Sequence, residues 1–149
     1  MENNQHYRKL ENMYHNHPLN KFYNAKISIS ANKSEITLPI QKKFHHAASA
    51  VHGSVYWKIL DDSAYFSVNS IVDDVFVLTA NFTIYLISPI SSGTLIAKGK
   101  LVSSTRSQFI AESVILNDHG EQIARGSGVY IRSKLKLSPK MGYRLENSF

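Results

Sequence analysis

Two local arrangements in this 149-residue sequence have residue types suited to chemistry. His52-Gly53-Ser54 opens an apolar segment, and Asp61-Asp62 lies inside it. Val51, Val55, Ile59, Leu60, Ala64 and Val68 recur at helical spacing, and Tyr56, Trp57, Tyr65 and Phe66 make the segment apolar around most of its circumference. This predicts a helix over 51–68 that is buried on nearly all sides and wrapped by a sheet. The free N–H groups and positive dipole end at its start can stabilise a negative oxygen. Gly53 lets a ligand approach the backbone, the arrangement of an oxyanion hole for acyl transfer, although the same glycine would serve tight packing or a chain reversal. An aspartate in a buried helix is unfavourable by several kcal/mol unless it is paired or hydrogen-bonded. Adjacent helical residues point about 100° apart, so one of the two aspartates is expected to be structural or solvated. The other is a candidate general base or nucleophile.

Helix geometry sets a further condition. Nine residues separate His52 from Asp61, about 13 Å along a helix. One helix cannot bring its own start and its own Asp61 to the same carbonyl. If both serve one site, that site joins two chains, and the expectation is a dimer with two composite sites.

The elements that must position these residues follow from the remaining patterns. Residues 1–25 are rich in Asn, His, Tyr and Lys; Tyr7, Leu10 and Tyr14 fall at helical spacing, and Pro18 is expected to end a short N-terminal helix. Lys26–Ser30 and Glu35–Ile40 alternate polar and apolar residues, with Asn32-Lys33 as a hairpin turn. After Asp73-Asp74, strand patterns run over 75–88, 93–104, 107–117 and 121–132. They are broken at Pro89 to Ser92, at Thr105-Arg106, and at Asp118-His119-Gly120, where Gly120 suits a positive φ. The simplest pairing of consecutive strands is antiparallel, by hairpins. The fold class is therefore α+β, ordered β-β-α-β-β-β-β, with one buried helix and a curved antiparallel sheet around it. The expected organisation is a helical extension over 1–25, a main domain over 26–132 and a basic, partly disordered tail over 133–149.

Composition narrows the function classes. Apolar residues make up 43% and charged residues 19% of the chain, which excludes global disorder. Without cysteine there is no disulfide framework, cysteine-ligated zinc or thiol nucleophile. His15-Asn16-His17 is too short and isolated for a metal site, and no metal or cofactor is expected. No apolar stretch approaches the ~18 residues of a transmembrane helix, and the polar N-terminus lacks the apolar region of a secretory signal, so the expected location is cytoplasmic. P-loop, dinucleotide and Gly-x-Ser-x-Gly signatures are absent. The net charge of +6 suits an anionic partner, but the 17 Lys and Arg are scattered. Lys42-Lys43 and Arg132-Ser133-Lys134-Leu135-Lys136 are the only concentrations. Nucleic-acid binding would need a basic face with exposed aromatics. Most aromatics here sit in apolar-patterned segments, so neither nucleic acid nor membrane is an expected partner.

From His46 through His52-Gly53 to Leu60-Asp61, the chain resembles the hotdog-fold acyl-CoA thioesterase superfamily, in particular its phenylacetate-pathway branch. That branch has an Asn, then His-Gly-Gly six residues later, then an acidic residue nine after the His. Here His46 stands at the Asn position, Ser54 replaces the second Gly, and Asp61 is the acid. Phe76-Val77-Leu78-Thr79, Tyr85 to Pro89 with Gly93, Thr105-Arg106-Ser107, Ala111-Glu112-Ser113, Asp118-His119-Gly120 and Ala124-Arg125-Gly126 follow the family pattern in order, and the likeness spans 26–132.

The resemblance implies a hotdog fold and hydrolysis of an acyl-CoA to free acid and coenzyme A. It implies that the Gly53 N–H polarises the thioester carbonyl and that Asp61 of a partner chain activates water or attacks directly. Thr79 would assist the water, while His52 and His46 would orient the substrate or the leaving thiolate. Ser54, Asp62, Arg106 and Ser107 fall at substrate or coenzyme A positions, with Arg106 meeting a phosphate. The assembly implied is a homodimer or a dimer-of-dimers tetramer, with sites at the subunit interface. For His45 and His46 a polar loop is the alternative role, and for Arg106 a solvated turn. Hydratases of this fold need a His paired with an acid in another arrangement, which has no match here. A non-catalytic acyl-CoA-binding protein is the other reading.

Overall fold

The chain folds in the order α1 (Glu2–Asn16), α2 (Pro18–Tyr23), β1 (Lys26–Ser30), β2 (Lys33–Pro39), α3 (Gly53–Asn69), β3 (Val75–Leu86), β4 (Thr94–Ser104), β5 (Gln108–Leu116) and β6 (Gln122–Lys136), with single 3-10 turns at Lys42–Phe44 and Pro139–Met141. The computed structural model describes residues 2–146, their side chains from Asn4 onward. The architecture is the α+β hotdog arrangement expected from the sequence: a six-stranded antiparallel sheet curls around one long central helix. Among the described residues no helix is long and apolar enough to cross a membrane.

Helix α3 forms because its apolar residues recur with helical period on several faces, and it is buried because those faces all find partners. Val55, Tyr56, Ile59, Leu60, Ala64 and Val68 lie in the core. Gly99 on β4 allows the sheet to close on the helix: a Cβ there would stand 2.0 Å from the Ser63 carbonyl oxygen. Here the lack of a side chain is a steric requirement. Ser34 and Ser113 tie the same surface down, their hydroxyls donating to the Ser63 and Leu60 carbonyls at 2.6 and 2.8 Å.

The sheet order is β1-β2-β4-β5-β6-β3. This corrects the expectation that every consecutive pair forms a hairpin. β3 pairs with β6, and β4 pairs with β2 and β5. The connection from β3 to β4 instead crosses the start of α3. There the Ile90 carbonyl accepts the Val51 N–H at 2.9 Å, and the Ser88 carbonyl accepts the Tyr56 hydroxyl at 3.2 Å. A hairpin would have left that end of the apolar helix uncovered.

Pro18 also acts differently from expectation. It opens a second short helix, at a position where its missing N–H is no loss. The β1–β2 turn uses Asn32 at φ +64°, and Gly120 has φ +76° as anticipated. β6 continues to Lys136, beyond the expected end at 132. The chain then returns to α1, where Tyr143 Oη lies 2.7 Å from His6 Nδ1 and the Arg144 carbonyl accepts from Asn12 Nδ2 at 2.8 Å. Residues 147–149 of the anticipated tail lie outside the described residues.

The two edges of the sheet are treated differently. Along β1, side chains of α1 take the place of a neighbouring strand. Glu11 accepts the Ile29 N–H at 2.8 Å, Arg8 donates to the Ile29 carbonyl at 3.2 Å, and His15 Nε2 accepts the Ile27 N–H at 3.0 Å. Tyr7, Leu10, Met13 and Tyr14 place the apolar stripe of α1 in the same core. β3, at the opposite edge, carries Leu78, Tyr85 and Leu86 exposed by 44%, 64% and 54%. A long apolar edge of this kind is a template for pairing with another chain.

Candidate active site

Asp61 points from the middle of α3 toward the paired strands β3 and β6. Thr79 and Tyr130 are direct register partners on those strands, so their side chains stand side by side on the sheet face toward the helix. Tyr130 Oη donates to Asp61 Oδ1 at 2.9 Å, and Thr79 Oγ1 donates to the same oxygen at 3.1 Å. A bulge follows Thr79, between Thr79 and Asn81, of the sort that re-aims a side chain beside an active site. Val77 and Tyr130 are fully buried next to the carboxylate. Burial pushes the Asp61 carboxyl up from 3.8 to about 6; the Tyr130 hydrogen bond pulls it back, the neighbouring Asp62 charge adds to the rise, and Thr79 and Lys58 oppose it. The result is a carboxylate that is charged at neutral pH yet basic enough to take a proton.

Its neighbour Asp62 is engaged elsewhere. Lys58, one turn earlier on α3, places Nζ 2.7 Å from Asp62 Oδ2, and Tyr14 Oη donates to the same oxygen at 3.3 Å. Burial raises the Asp62 carboxyl above its ordinary range against the pull of Lys58. Of the two adjacent aspartates, Asp62 is the paired one, and Asp61 faces hydroxyls alone.

The second group assembles at the start of α3. His52 is the N-cap: its Nδ1 accepts the Ser54 N–H at 3.0 Å and lies 2.7 Å from Ser54 Oγ, so Nε2 is the protonated nitrogen of the neutral ring. His46 sits in the preceding turn, held by the Ala48 N–H on its Nδ1 at 3.0 Å, with its ring centroid 6.4 Å from that of His52. Ser49 at φ +62° closes that turn. His45 is turned away, toward the Ser91 carbonyl at 2.8 Å. Among the described residues nothing accepts the Gly53 N–H, leaving a free donor at the positive end of the helix dipole.

The sequence-predicted residues thus fall into three places. Asp61 and Thr79 come together, with Asp62 beside them. His46, His52, Gly53 and Ser54 form the second cluster, at the start of α3, about half the helix length from Asp61. Arg106 and Ser107 lie on the exposed turn between β4 and β5, apart from both. Sequence reasoning missed Tyr130, which read as one more apolar position of β6, and Lys58. For Lys58 a signal existed, since a Lys four residues before an Asp on a helix is a pairing distance. His15-Asn16-His17 holds no metal cluster: His15 is used by the β1 edge, and among the described residues no group of three or more His, Cys, Asp or Glu can hold a metal ion.

A cleft of about 320 Å³ opens beside Asp61 and Thr79, between α3, β3 and the α1–α2 corner. In a single chain it does not reach Gly53. The arrangement can therefore position and deprotonate a water at Asp61 and can stabilise an oxyanion at Gly53, but one copy cannot do both to one carbonyl.

Residues 48–124, just over half of the chain, match the thioesterase superfamily. No curated protein matches the sequence significantly. Among solved structures, the chain is similar to the E. coli PaaI protein from the phenylacetic acid degradation operon, with a TM-score of 0.83 and 17% identity over 91% of this chain and 99% of that one. It is similar to a thioesterase family protein from Silicibacter pomeroyi, with a TM-score of 0.75 and 18% identity over 83% and 95%. It also resembles the thioesterase HI1161 from Haemophilus influenzae, with a TM-score of 0.74 and 14% identity over 81% and 87%. At such identities the likeness to these structures is one of fold.

Proposed function

Because the chain belongs to the thioesterase superfamily, we propose that it hydrolyses an acyl-CoA thioester to the free acid and coenzyme A. The observation that carries this reading is the state of Asp61, a partly buried carboxylate raised to about 6, oriented by Tyr130 and Thr79, and opening into a cleft.

Asp61 takes a proton from a water held with the help of Thr79. The water oxygen forms a bond to the thioester carbon, and the carbonyl oxygen becomes an oxyanion. The Gly53 N–H of a second copy stabilises it, with the α3 dipole behind that donor. Collapse breaks the carbon–sulfur bond and releases the thiolate, which takes up the proton held by Asp61. His52 and His46 border the oxyanion donor and orient the thioester. Arg106 and Ser107, on their exposed turn, meet the nucleotide end of coenzyme A. The free β3 edge supports a homodimer in which each site combines one chain's helix start with the other's Asp61.

Release of free thiol from short, medium, long and aromatic acyl-CoAs by the wild-type protein tests this reading. Saturable turnover is expected for part of the panel. Saturable binding with no turnover of any member would instead mark a binding protein on the same fold.

A further inference from the structure

We infer that the α1–α2 corner is the wall that selects the acyl group, and that Lys58 is the positioning residue that holds it in place. The inference rests on the thioester reading of the Asp61 site.

The cleft beside Asp61 and Thr79 is closed on its far side by residues that precede the sheet: Met13 and Tyr14 from the end of α1, then His17, Leu19 and Asn20. A polar clamp fixes this corner to α3. Lys58 Nζ lies 2.7 Å from Asn20 Oδ1 and 2.7 Å from Asp62 Oδ2. Asn20 Nδ2 in turn donates to the Tyr14 carbonyl at 2.8 Å, and Tyr14 Oη reaches Asp62. Lys58 and Asp62 side chains are only 13% and 20% exposed, so removing either would leave the other's charge uncompensated, and the corner is tied to this pair through Asn20 and Tyr14. This gives the second aspartate a use: Asp61 serves the reaction, and Asp62 anchors the wall.

The chemistry of the wall defines what it accepts. Lys58 and Asp62 neutralise each other, so the corner, away from the reacting Asp61, offers an acyl substituent no unpaired carboxylate or ammonium. Met13, Leu19, Phe66 and Phe76 make the lining apolar. A volume of about 320 Å³ stands at the lower end of the roughly 300–1,000 Å³ common for ligand pockets. The fit is an uncharged acyl group of short chain or single-ring size. Leu19 is 50% exposed, belongs to neither core cluster and lines the cleft. Its exposure also makes it a clean probe, because replacing it does not disturb the core.

The test is kcat/KM for acetyl-, hexanoyl-, benzoyl- and palmitoyl-CoA with wild type, Leu19→Trp, Leu19→Ala and Lys58→Met. Leu19→Trp is expected to lower kcat/KM for hexanoyl- and benzoyl-CoA by about tenfold relative to acetyl-CoA, mainly through KM. Leu19→Ala is expected to move the preference toward longer chains. Lys58→Met is expected to raise KM for hexanoyl-CoA with little change in kcat, and Lys58→Arg to restore it. A wild-type preference order retained in both Leu19 variants overturns the wall and leaves the thioesterase reading standing. If the wild type hydrolyses nothing, that reading fails, and binding of S-hexyl-CoA decides the wall. Weaker binding by Leu19→Trp, relative to coenzyme A itself, upholds it; equal binding, or no binding by the wild type, overturns it.

Discussion

Tyr130 Oη donates to Asp61 Oδ1 across 2.9 Å, from a ring that is fully buried between β6 and α3. Burial, with the Asp61 charge adding to it, pushes the Tyr130 hydroxyl far above its ordinary range, so it stays protonated and always donates. The carboxylate thereby has one fixed orientation, and the oxygen it offers to a water is set by the sheet.

A pH profile of kcat/KM checks this pairing. Activity that needs Asp61 ionised rises through an acid limb at about 6. Tyr130→Phe removes a hydrogen bond to the charged form, so the limb moves to higher pH. Activity at the plateau falls about tenfold or more, the equivalent of a charged hydrogen bond worth ~1.5–3 kcal/mol. An unmoved limb in Tyr130→Phe contradicts the pairing.

Asp61 is also a stability liability. Its folded pKa lies above the unfolded value, so its contribution is fully favourable below pH 3.8 and is lost as pH rises through about 6. At pH 8 the buried charge destabilises the fold by on the order of 2 kcal/mol, allowing for partial exposure. Asp61→Asn keeps the acceptor oxygen and removes the charge. It is expected to raise Tm at pH 8 and to gain less at pH 5, while losing activity. Thermal unfolding at the two pH values reads this directly, and an equal gain at both would contradict it.

The sealed β1 edge predicts an opposite dependence. His15 accepts the Ile27 N–H only when Nε2 is unprotonated, and burial, with Lys26 adding and Glu146 opposing, holds its pKa below 6.5. Its contribution is complete above 6.5 and is lost as pH falls through the folded value. Buried Glu11 has its pKa raised and contributes in the other direction. His15→Gln, which keeps an acceptor, is expected to flatten the loss of urea resistance between pH 7 and 5. The double variant Glu11→Ala, His15→Ala opens a second sheet edge, and light scattering should then report assemblies larger than those of the wild type.

Gly53→Pro offers a specific test of the free donor. Position 53 is the first residue of α3, where proline is tolerated, and His52 at φ −64°, ψ 143° has the extended conformation that precedes proline. An added Cβ meets only the end of the Leu86 side chain, at 3.2 Å. The variant should fold and dimerise but lack the N–H, and be inactive. Refolding it together with Asp61→Asn should recover about a quarter of wild-type activity, because half of the dimers are mixed and each has one intact composite site. No recovery would place both groups in one chain's site.

Much of the fold was legible because its periodicities are strong. The α3 stripe and the alternating strands could be read locally, and the carboxylate pair in an apolar helix required a partner for at least one member. The place of β3 was not legible. Strand neighbours depend on where the 87–93 connection crosses α3, and no local pattern encodes that path. Tyr130 was hidden for a similar reason: its ring obeys the apolar alternation of β6, and only its hydroxyl, 69 residues from Asp61, departs from it. The N-terminal helices read as an extension, whereas Tyr14 and Asn20 reach the cleft through contacts that only the folded chain creates.

The most direct test of the central claim is free-thiol release by Asp61→Asn and Asp62→Asn beside the wild type, on the best acyl-CoA of the panel and with the oligomeric state checked. Loss of a general base predicts a fall in kcat of about 10³ in Asp61→Asn, with kcat in Asp62→Asn staying within about tenfold of wild type. Wild-type kcat in Asp61→Asn, or an equal collapse in both variants, would contradict the assignment of Asp61 as the reacting carboxylate.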